Sequence, residues 1–356
     1  MEHTVGIKDV AREAGVSIGT VSNVLNRPDR VAEETRTRVL AIIARLGYVR
    51  SESARQLRAG SSRIIAMLVL DMANPFFVTV ARAAERAARE AGLGVMVCNS
   101  AESAAEEAEY LSLFSEQRVR GVLVTPADSG NLRAFRRHRI PFVLVDRVLS
   151  DGDRGCSVSV DDVAGGRLAV RHLLRLGHRS VTYVTGPPQL PQCGDRRSGA
   201  LAALREAGLG PAALTVVRAE RLDVASGLDA GARLLGTVRP PAAVFCANDL
   251  LALGVLQALF AAGVRVPEDV AIVGYDDIEF AAAAAVPLTS VRQPSEQLGR
   301  IAARLLMEET GHEPGRHRHR RVVLEPELVV RRSTLARADA RHIRAPEGSA
   351  GAAGGG

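Results

Sequence analysis

Small hydrogen-bonding side chains occupy one face of a short helical segment near the N-terminus, over residues 18–26. Val21, Val24 and Leu25 recur at helical spacing and predict its buried face. Ser17, just before the segment, can cap its first exposed amides. The outward face could reach base edges in a DNA major groove, and its members are Ile18, Gly19, Ser22, Asn23 and Asn26. The alternative is a surface helical hairpin whose polar residues face only water.

Two neighbouring segments would hold this helix in place. Apolar residues three and four apart predict a helix over Ile7–Ala14, which Gly15 interrupts. A later helix over Glu33–Leu46 would close a three-helix core with Val39, Ile42, Ile43 and Leu46. This arrangement is typical of a helix-turn-helix DNA-binding domain.

Composition narrows the class of protein. A chain of 356 residues that is 47% hydrophobic predicts two or three globular domains. It has no apolar run of membrane-spanning length and no export signal, so we expect a cytoplasmic protein. Four widely spaced cysteines without a CxxC pair predict a reduced chain with no metal site. The net charge of +6 is compatible with a nucleic-acid partner but does not establish one.

Lys8 is the only lysine in the chain. P-loop, Schiff-base and kinase chemistry in the rest of the chain therefore lack their lysine. No predicted strand is followed by a GxSxG elbow or by GxGxxG. We therefore expect no enzyme activity and no cofactor.

From residue 63 onward, short apolar runs alternate with amphipathic helical stretches such as 78–91 and 164–176. The runs cover 64–70, 94–99, 121–126, 142–146, 157–160, 181–186, 243–249 and 270–277. Continuous apolar strands between helices indicate parallel sheets covered on both faces. The runs are more numerous than the strands of a typical single sheet, so we expect two α/β lobes.

Several of these runs end in polar residues: Asp71 and Asn74, Asp146, Asn248, and Asp276. Each one alone could equally cap a helix or belong to a loop. Open α/β sheets bind ligands at the carboxyl ends of their strands. Together these residues predict a ligand cleft between the lobes.

In these motifs the chain resembles the LacI/GalR family of bacterial transcription regulators. The match includes GIKDVAREAGVS, TVSNVLN, ETRTRVL, LGY and SARQLRAG, and it spans about residues 6–332. The resemblance implies a helix-turn-helix domain over 5–50, a hinge helix and linker over 51–62, and an effector-binding and dimerisation core over 63–332. The core would consist of two doubly wound parallel-sheet lobes of periplasmic-binding-protein type.

The resemblance also implies the points at which the chain crosses between lobes. Lobe one would hold about 63–162 and 292–321, and lobe two about 163–291 and 322–332. Residues 333–356 become Arg/Ala-rich and then Gly-rich, which predicts a disordered tail. Because this tail has no heptad pattern, we expect a homodimer and no tetramer.

Matching the family's effector positions implies a site for a sugar or sugar derivative. Its expected members are Asp71, Asn74, Phe76, Asp146, Arg196, Leu222, Asn248, Asp276 and Gln293. Carboxylates, amides and an arginine suit a hydroxyl-rich ligand. The chain departs from the family at Leu222, where many sugar and purine regulators carry an aromatic ring, so the effector's identity stays open. Phe76 and Phe77 remain as stacking candidates.

For DNA, we expect Ser17 and Thr20 to contact phosphates and Ile18 to contact a thymine methyl group. Asn23 occupies a position where the family commonly has arginine, which predicts A·T where relatives read G·C. In the hinge, we expect contacts from Ala54, Arg55 and Leu57, with Leu57 wedged into the minor groove. A flexible linker is the alternative there, and Arg50 replaces the family's common proline.

The sequence thus predicts a repressor that binds a pseudopalindromic DNA operator with an affinity controlled by a small effector. The rivals are an enzyme on a doubly wound fold and a solute-binding protein. Residues 316–321, RHRHRR, could indicate metal or nucleic-acid binding, but we interpret them as a solvated loop before the last strand.

Overall fold

The computed structural model describes residues 5–48, 62–127, 129–149, 154–236, 242–311 and 317–335. The chain divides into two compact units, Met1–Ser62 and Arg63–Gly356, which we call the headpiece and the core. The predicted hinge contacts Ala54, Arg55 and Leu57 lie outside the described residues.

The described part of the headpiece, residues 5–48 and 62, forms three α-helices: α1 (Ile7–Ala14), α2 (Ile18–Asn26) and α3 (Glu33–Leu46). All three have the predicted bounds. Gly15 ends α1 in the left-handed conformation, with φ 64°, which a residue without a Cβ adopts without strain. Ser17 Oγ accepts a hydrogen bond of 3.0 Å from the backbone N–H of Thr20 and so caps α2 as predicted. The core of the headpiece comprises Val10, Ala11, Ala14, Val21, Val24, Val39 and Ile42.

Six strands form the first sheet of the core: β1 (Ile64–Val69), β2 (Gly94–Asn99), β3 (Val122–Val124), β4 (Phe142–Val145), β5 (Cys156–Val160) and β11 (Arg321–Leu324). Their order is β11-β5-β4-β3-β1-β2, and all neighbours are parallel. Every residue of β3, β4 and β5 is buried, as expected for strands covered on both faces.

Six strands form the second sheet: β6 (Val181–Thr185), β7 (Leu214–Arg218), β8 (Ala242–Cys246), β9 (Val270–Asp276), β10 (Thr289–Arg292) and β12 (Glu327–Val329). Their order is β12-β10-β9-β8-β6-β7, and only β12 is antiparallel to its neighbour. Each sheet is the centre of one lobe, so the predicted two-lobed α/β core is confirmed.

The core helices cover the faces of these sheets. They are α4 (Pro75–Glu90), α5 (Ala104–Glu116), α6 (Leu132–His138), α7 (Asp162–Arg175), α8 (Pro191–Glu206), α9 (Val224–Leu235), α10 (Asp249–Ala261), α11 (Glu279–Ala283) and α12 (Ser295–Gly311). Helix α12 packs on α4 and crosses β4 and β5, which places it in lobe one. Among the described residues, no helix is both long and apolar enough to cross a membrane.

The structure corrects two predicted boundaries. Strand β11 pairs with β5 through Leu324, so lobe one extends past the predicted crossing at 321. The predicted disordered tail begins too early, because Ser333 and Thr334 are buried. Ser333 Oγ donates to the carbonyl of Ile272 at 2.6 Å and accepts from the backbone N–H of Thr289 at 2.8 Å. These bonds fix the start of the segment against sheet two.

The interpretation of residues 316–321 as a solvated loop is also wrong at one position. The side chain of His317 is only 9% exposed and contacts Cys156 and Glu309. The contact with Cys156 joins residues more than a hundred positions apart, so no local pattern could reveal it.

Candidate effector site and DNA-reading helix

All nine predicted effector residues line one cavity of about 390 Å³ in the core. Leu70, Phe77, Glu102 and Gln192 complete its wall. A wider cavity of about 1550 Å³ adjoins it and shares Glu102, Asp146 and Gln192. We call the combined space the cleft. Its size suits a small molecule.

The cleft lies at the carboxyl ends of the strands, as the parallel topology requires. Asp71 follows β1 and Asp146 follows β4 in lobe one. Asp276 ends β9 in lobe two, and Gln293 follows β10, where the chain crosses back to lobe one. The cleft therefore draws its polar groups from both lobes.

Asp276 joins the two lobes through its carboxylate. Its Oδ2 accepts a hydrogen bond of 2.9 Å from Nδ2 of Asn74, which caps α4 in lobe one. Its Oδ1 accepts one of 2.8 Å from Nε2 of Gln293. Burial raises the pKa of the Asp276 carboxyl, while Arg196 and these two amides lower it in part.

Arg196 is held on every side, with 3% of its surface exposed. Its Nε donates to Asp162 Oδ1 at 2.7 Å, its Nη1 donates to the carbonyl of Ala247, and its guanidinium lies 3.6 Å from the Tyr275 ring centre. Helices α7 and α8 meet closely here, because a Cβ on Gly199 would lie 1.9 Å from the carbonyl oxygen of Val163. The close packing of α7 against α8 and the ion pair with Asp162 together hold Arg196 in position.

Asp146 is the titratable group of the cleft with the clearest shift. Burial raises its pKa to about 7, with Asp162 raising it further and Arg147 opposing the rise. Arg147 Nη1 lies 3.7 Å from Asp146 Oδ2. The backbone of Asp146 has φ 56°, a conformation that aspartate tolerates better than most residues. The carboxyl group is therefore balanced between its two protonation states near neutral pH.

Several buried polar atoms in the cleft have no hydrogen-bond partner among the described residues. They are Asp146 Oδ1, Ser159 Oγ, Gln192 Oε1, Gln293 Oε1, and Nε and Nη2 of Arg147. Buried polar groups are normally paired, so a concentration of exceptions in one cavity calls for a ligand.

The remaining predicted residues shape the cleft. Asn248 caps α10 through a 2.9 Å bond from the N–H of Leu251, and its Nδ2 donates to the carbonyl of Leu222. This bond fixes the loop that presents Leu222. Phe76 and Phe77 are both buried and meet edge to face, with ring centres 5.1 Å apart. They form the apolar wall on the lobe-one side.

In the headpiece, α2 presents the predicted reading surface. Ile18 is 41% exposed, and Gly19, Asn23 and Asn26 are exposed beside it. Ser17 Oγ and Thr20 Oγ1 lie 2.9 Å apart at the start of the helix. Asn26 Nδ2 donates to the carbonyl of Ser22 at 2.7 Å. The helix therefore offers hydroxyl and amide groups along one accessible face.

Comparison with known proteins identifies the family of the chain. Residues 6–51 match the model of bacterial regulatory proteins of the lacI family, and residues 170–334 match that of a periplasmic binding protein-like domain. The HTH-type transcriptional repressor PurR of Photobacterium profundum is 34% identical over 333 residues, covering 92% of this chain and 98% of that protein. The chain belongs to the LacI family of bacterial regulatory proteins.

Two further similarities extend over most of the chain. The ribose operon repressor of Bacillus subtilis is 36% identical over 301 residues, covering 85% of this chain and 90% of that protein. A solved lac repressor dimer, bound to operator and the anti-inducer ONPF, has a TM-score of 0.81 at 28% identity and covers 93% of this chain and 99% of that chain. The predicted family and fold are confirmed, and this LacI-family member is a DNA-binding transcription regulator with a small-molecule effector.

Sequence reasoning missed several polar residues of this regulator's cleft, among them Gln192, Glu102 and Asp162. Gln192 lies in the first turn of α8, Glu102 follows β2, and Asp162 pairs with Arg196. Gln192 stands four residues before Arg196, so it shares a helix face with a predicted residue, which is a signal that could have identified it. Glu102 and Asp162 carry no such local signal.

Proposed function

We propose that this regulator is a homodimeric repressor whose effector is a neutral, hydroxyl-rich molecule of monosaccharide size. The observation that carries the proposal is the set of buried acceptors without partners in the cleft: Asp146 Oδ1, Gln192 Oε1 and Gln293 Oε1. Sugar hydroxyls donate hydrogen bonds to such oxygens, and each donor removes the cost of a buried, unpaired acceptor. The name of the ribose operon repressor agrees with this ligand class.

The charges of the cleft argue against a phosphorylated effector. Arg147 and Arg196 are the two arginines in its lining, and each already faces a carboxylate, Asp146 or Asp162. Six carboxylates lie in the lining: Asp71, Glu102, Asp146, Asp162, Asp195 and Asp276. A phosphate placed here would meet an excess of negative charge. We therefore expect free sugars to bind and sugar phosphates to be rejected.

The operator contacts follow from the headpiece. Ser17 and Thr20 hold phosphates, Ile18 contacts a thymine methyl group and Asn23 reads adenine. Two headpieces of a dimer bind the two halves of a pseudopalindromic operator. The hinge adds Ala54, Arg55 and Leu57, with Leu57 inserted in the minor groove.

Ligand and operator are coupled through lobe closure. The effector contacts both lobes, so it favours the arrangement in which Asn74 and Asp276 approach one another. The protein uses this change of shape and performs no reaction on the ligand. It acts in the cytoplasm, where operator DNA and metabolites meet.

Thermal shift and calorimetry with free pentoses, free hexoses and their phosphates test the ligand class. A free sugar should raise the melting temperature of the core, and its phosphate should not. Gln192→Ala should weaken sugar binding, whereas Gln257→Ala, on the exposed face of α10, should not. Binding of the phosphates alone, or equal binding by the Gln192→Ala variant, would contradict the proposal.

A further inference from the structure

A second group of ligand-type side chains lies in lobe one, away from the cleft. Cys156 is the first residue of β5, Glu309 is near the end of α12, and His317 and His319 precede β11. The cleft is at the carboxyl ends of the strands, whereas this group is at the amino ends of β5 and β11. The two sites therefore lie at opposite ends of the strands of sheet one.

The side chains converge closely. His317 Nε2 lies 3.1 Å from Cys156 Sγ and 3.3 Å from Glu309 Oε2. His319 Nδ1 lies 3.2 Å from the same Glu309 oxygen, and Cys156 Sγ lies 3.6 Å from it. One ligand atom from each of the four residues falls within 4.8 Å of all the others.

The four separations from 3.1 to 3.6 Å are close to the edges of a tetrahedral metal site. Bonds of about 2.3 Å from zinc to sulfur and about 2.0 Å to nitrogen or oxygen place neighbouring ligands roughly 3.3 to 3.6 Å apart. We propose that the core binds a zinc ion through Cys156, Glu309, His317 and His319. One thiolate, two imidazoles and one carboxylate are a donor set that zinc accepts.

The local backbone supports this arrangement. His317 and His319 lie two residues apart in the segment before β11, and their rings meet edge to face with centres 5.6 Å apart. The backbone N–H of Arg320 donates to Cys156 Sγ at 3.4 Å, a contact that also stabilises a thiolate. The Arg320 guanidinium pairs with Glu308. Its charge is thus partly balanced beside the site.

The ion has a structural role in lobe one. Strand β11 is at the edge of sheet one and pairs only with β5 within it. Zinc joins the segment before β11 to the start of β5 and to the end of α12. Because zinc binds the thiolate, the proton of Cys156 leaves as the metal enters. Metal binding should therefore stabilise the core without an effector in the cleft.

Cobalt substitution tests the site directly. Untagged full-length protein, stripped with a chelator, is titrated with Co²⁺ and then with Zn²⁺. We expect one Co²⁺ per chain, with the absorption band of a thiolate–cobalt bond, and its displacement by one Zn²⁺. Cys156→Ser should lose the band, and the matched control Cys98→Ser should keep it. His319→Ala, at a partly exposed position, should weaken Zn²⁺ binding by about tenfold or more.

Two measurements separate loss of a ligand from loss of the fold. The circular dichroism and melting temperature of each variant in chelator should match those of the metal-free wild type. Zn²⁺ should then raise the melting temperature of the wild type and of Cys98→Ser, and raise those of Cys156→Ser and His319→Ala less or not at all. A wild type without the thiolate band, a Cys156→Ser variant that retains it, or unchanged Zn²⁺ affinity in folded His319→Ala would overturn the proposal.

Discussion

The recognition helix and the effector cleft use polar side chains in opposite ways. In α2 the side chain of Asn23 is exposed and lies on the surface of a small three-helix unit. In the cleft, Arg196 and Asp276 are buried; Arg196 pairs with Asp162, and Asp276 accepts a hydrogen bond from Asn74 of the other lobe. Residues of the first kind can change DNA specificity at little cost in stability. Residues of the second kind determine both ligand binding and the fold.

The largest expected effect comes from breaking the buried ion pair of the cleft. Arg196→Ala leaves Asp162 without its partner and should lower the free energy of unfolding of the core by about 3–5 kcal/mol. It should also abolish the effector response. Arg197→Ala, at the exposed adjacent position, is the matched control and should change the stability by less than about 0.5 kcal/mol. Urea unfolding of both variants measures the free energies of unfolding. Equal values for Arg196→Ala and Arg197→Ala would contradict the claim that buried side chains of the cleft stabilise the fold more than exposed ones.

A substitution in α2 should change DNA specificity and leave the stability of the headpiece unchanged. Asn23→Arg replaces an adenine-reading amide by a guanine-reading guanidinium, which should shift the preferred base by about 1–3 kcal/mol. The headpiece should keep its stability, because Asn23 is exposed. Ala41→Arg adds the same charge on the exposed face of α3 and controls for non-specific attraction to DNA. Operator selection from random sequences measures the preference, and an unchanged preference at every base would exclude Asn23 as a reading residue.

A smaller effect concerns pH in the cleft. The pKa of Asp146 is raised to about 7, and its carboxylate must be ionised to act as a full acceptor for a ligand hydroxyl. Lowering the pH through this pKa protonates the group, so effector affinity should fall about tenfold from about pH 8 to about pH 6. Asp146→Asn should remove this dependence, and Asp229→Asn, at an exposed position, should not. Calorimetry at several pH values gives the profile; the same slope in Asp146→Asn would assign the titration to another group.

The contrast between the headpiece and the cleft also explains which features the sequence could predict. The headpiece depends on local signals, such as the cap at Ser17 and the break at Gly15, and its helix bounds were predicted correctly. The alternation of strands and helices predicted two lobes, and the polar strand ends, together with the family match, predicted residues that do line one cavity. Their contact with an effector stays a prediction.

Features that depend on contacts between residues distant in the sequence could not be predicted. Strand β7 is partly exposed and lies at the edge of sheet two, so it lacks the continuous apolar run that marks a buried strand. Ser333 belongs to the fold through hydrogen bonds to Thr289 and Ile272, which composition does not encode. The cluster around Cys156 likewise forms only when β5, α12 and β11 come together.

The central claim is that the buried cleft controls the exposed helix, and operator binding with and without effector tests it most directly. Fluorescence anisotropy of labelled operator DNA measures the affinity of full-length protein across an effector titration. We expect effector to change wild-type operator affinity by about 5- to 150-fold, the usual range of such coupling. Asp276→Ala should show no change in operator affinity on effector titration. A response of Asp276→Ala with the wild-type midpoint would contradict the account.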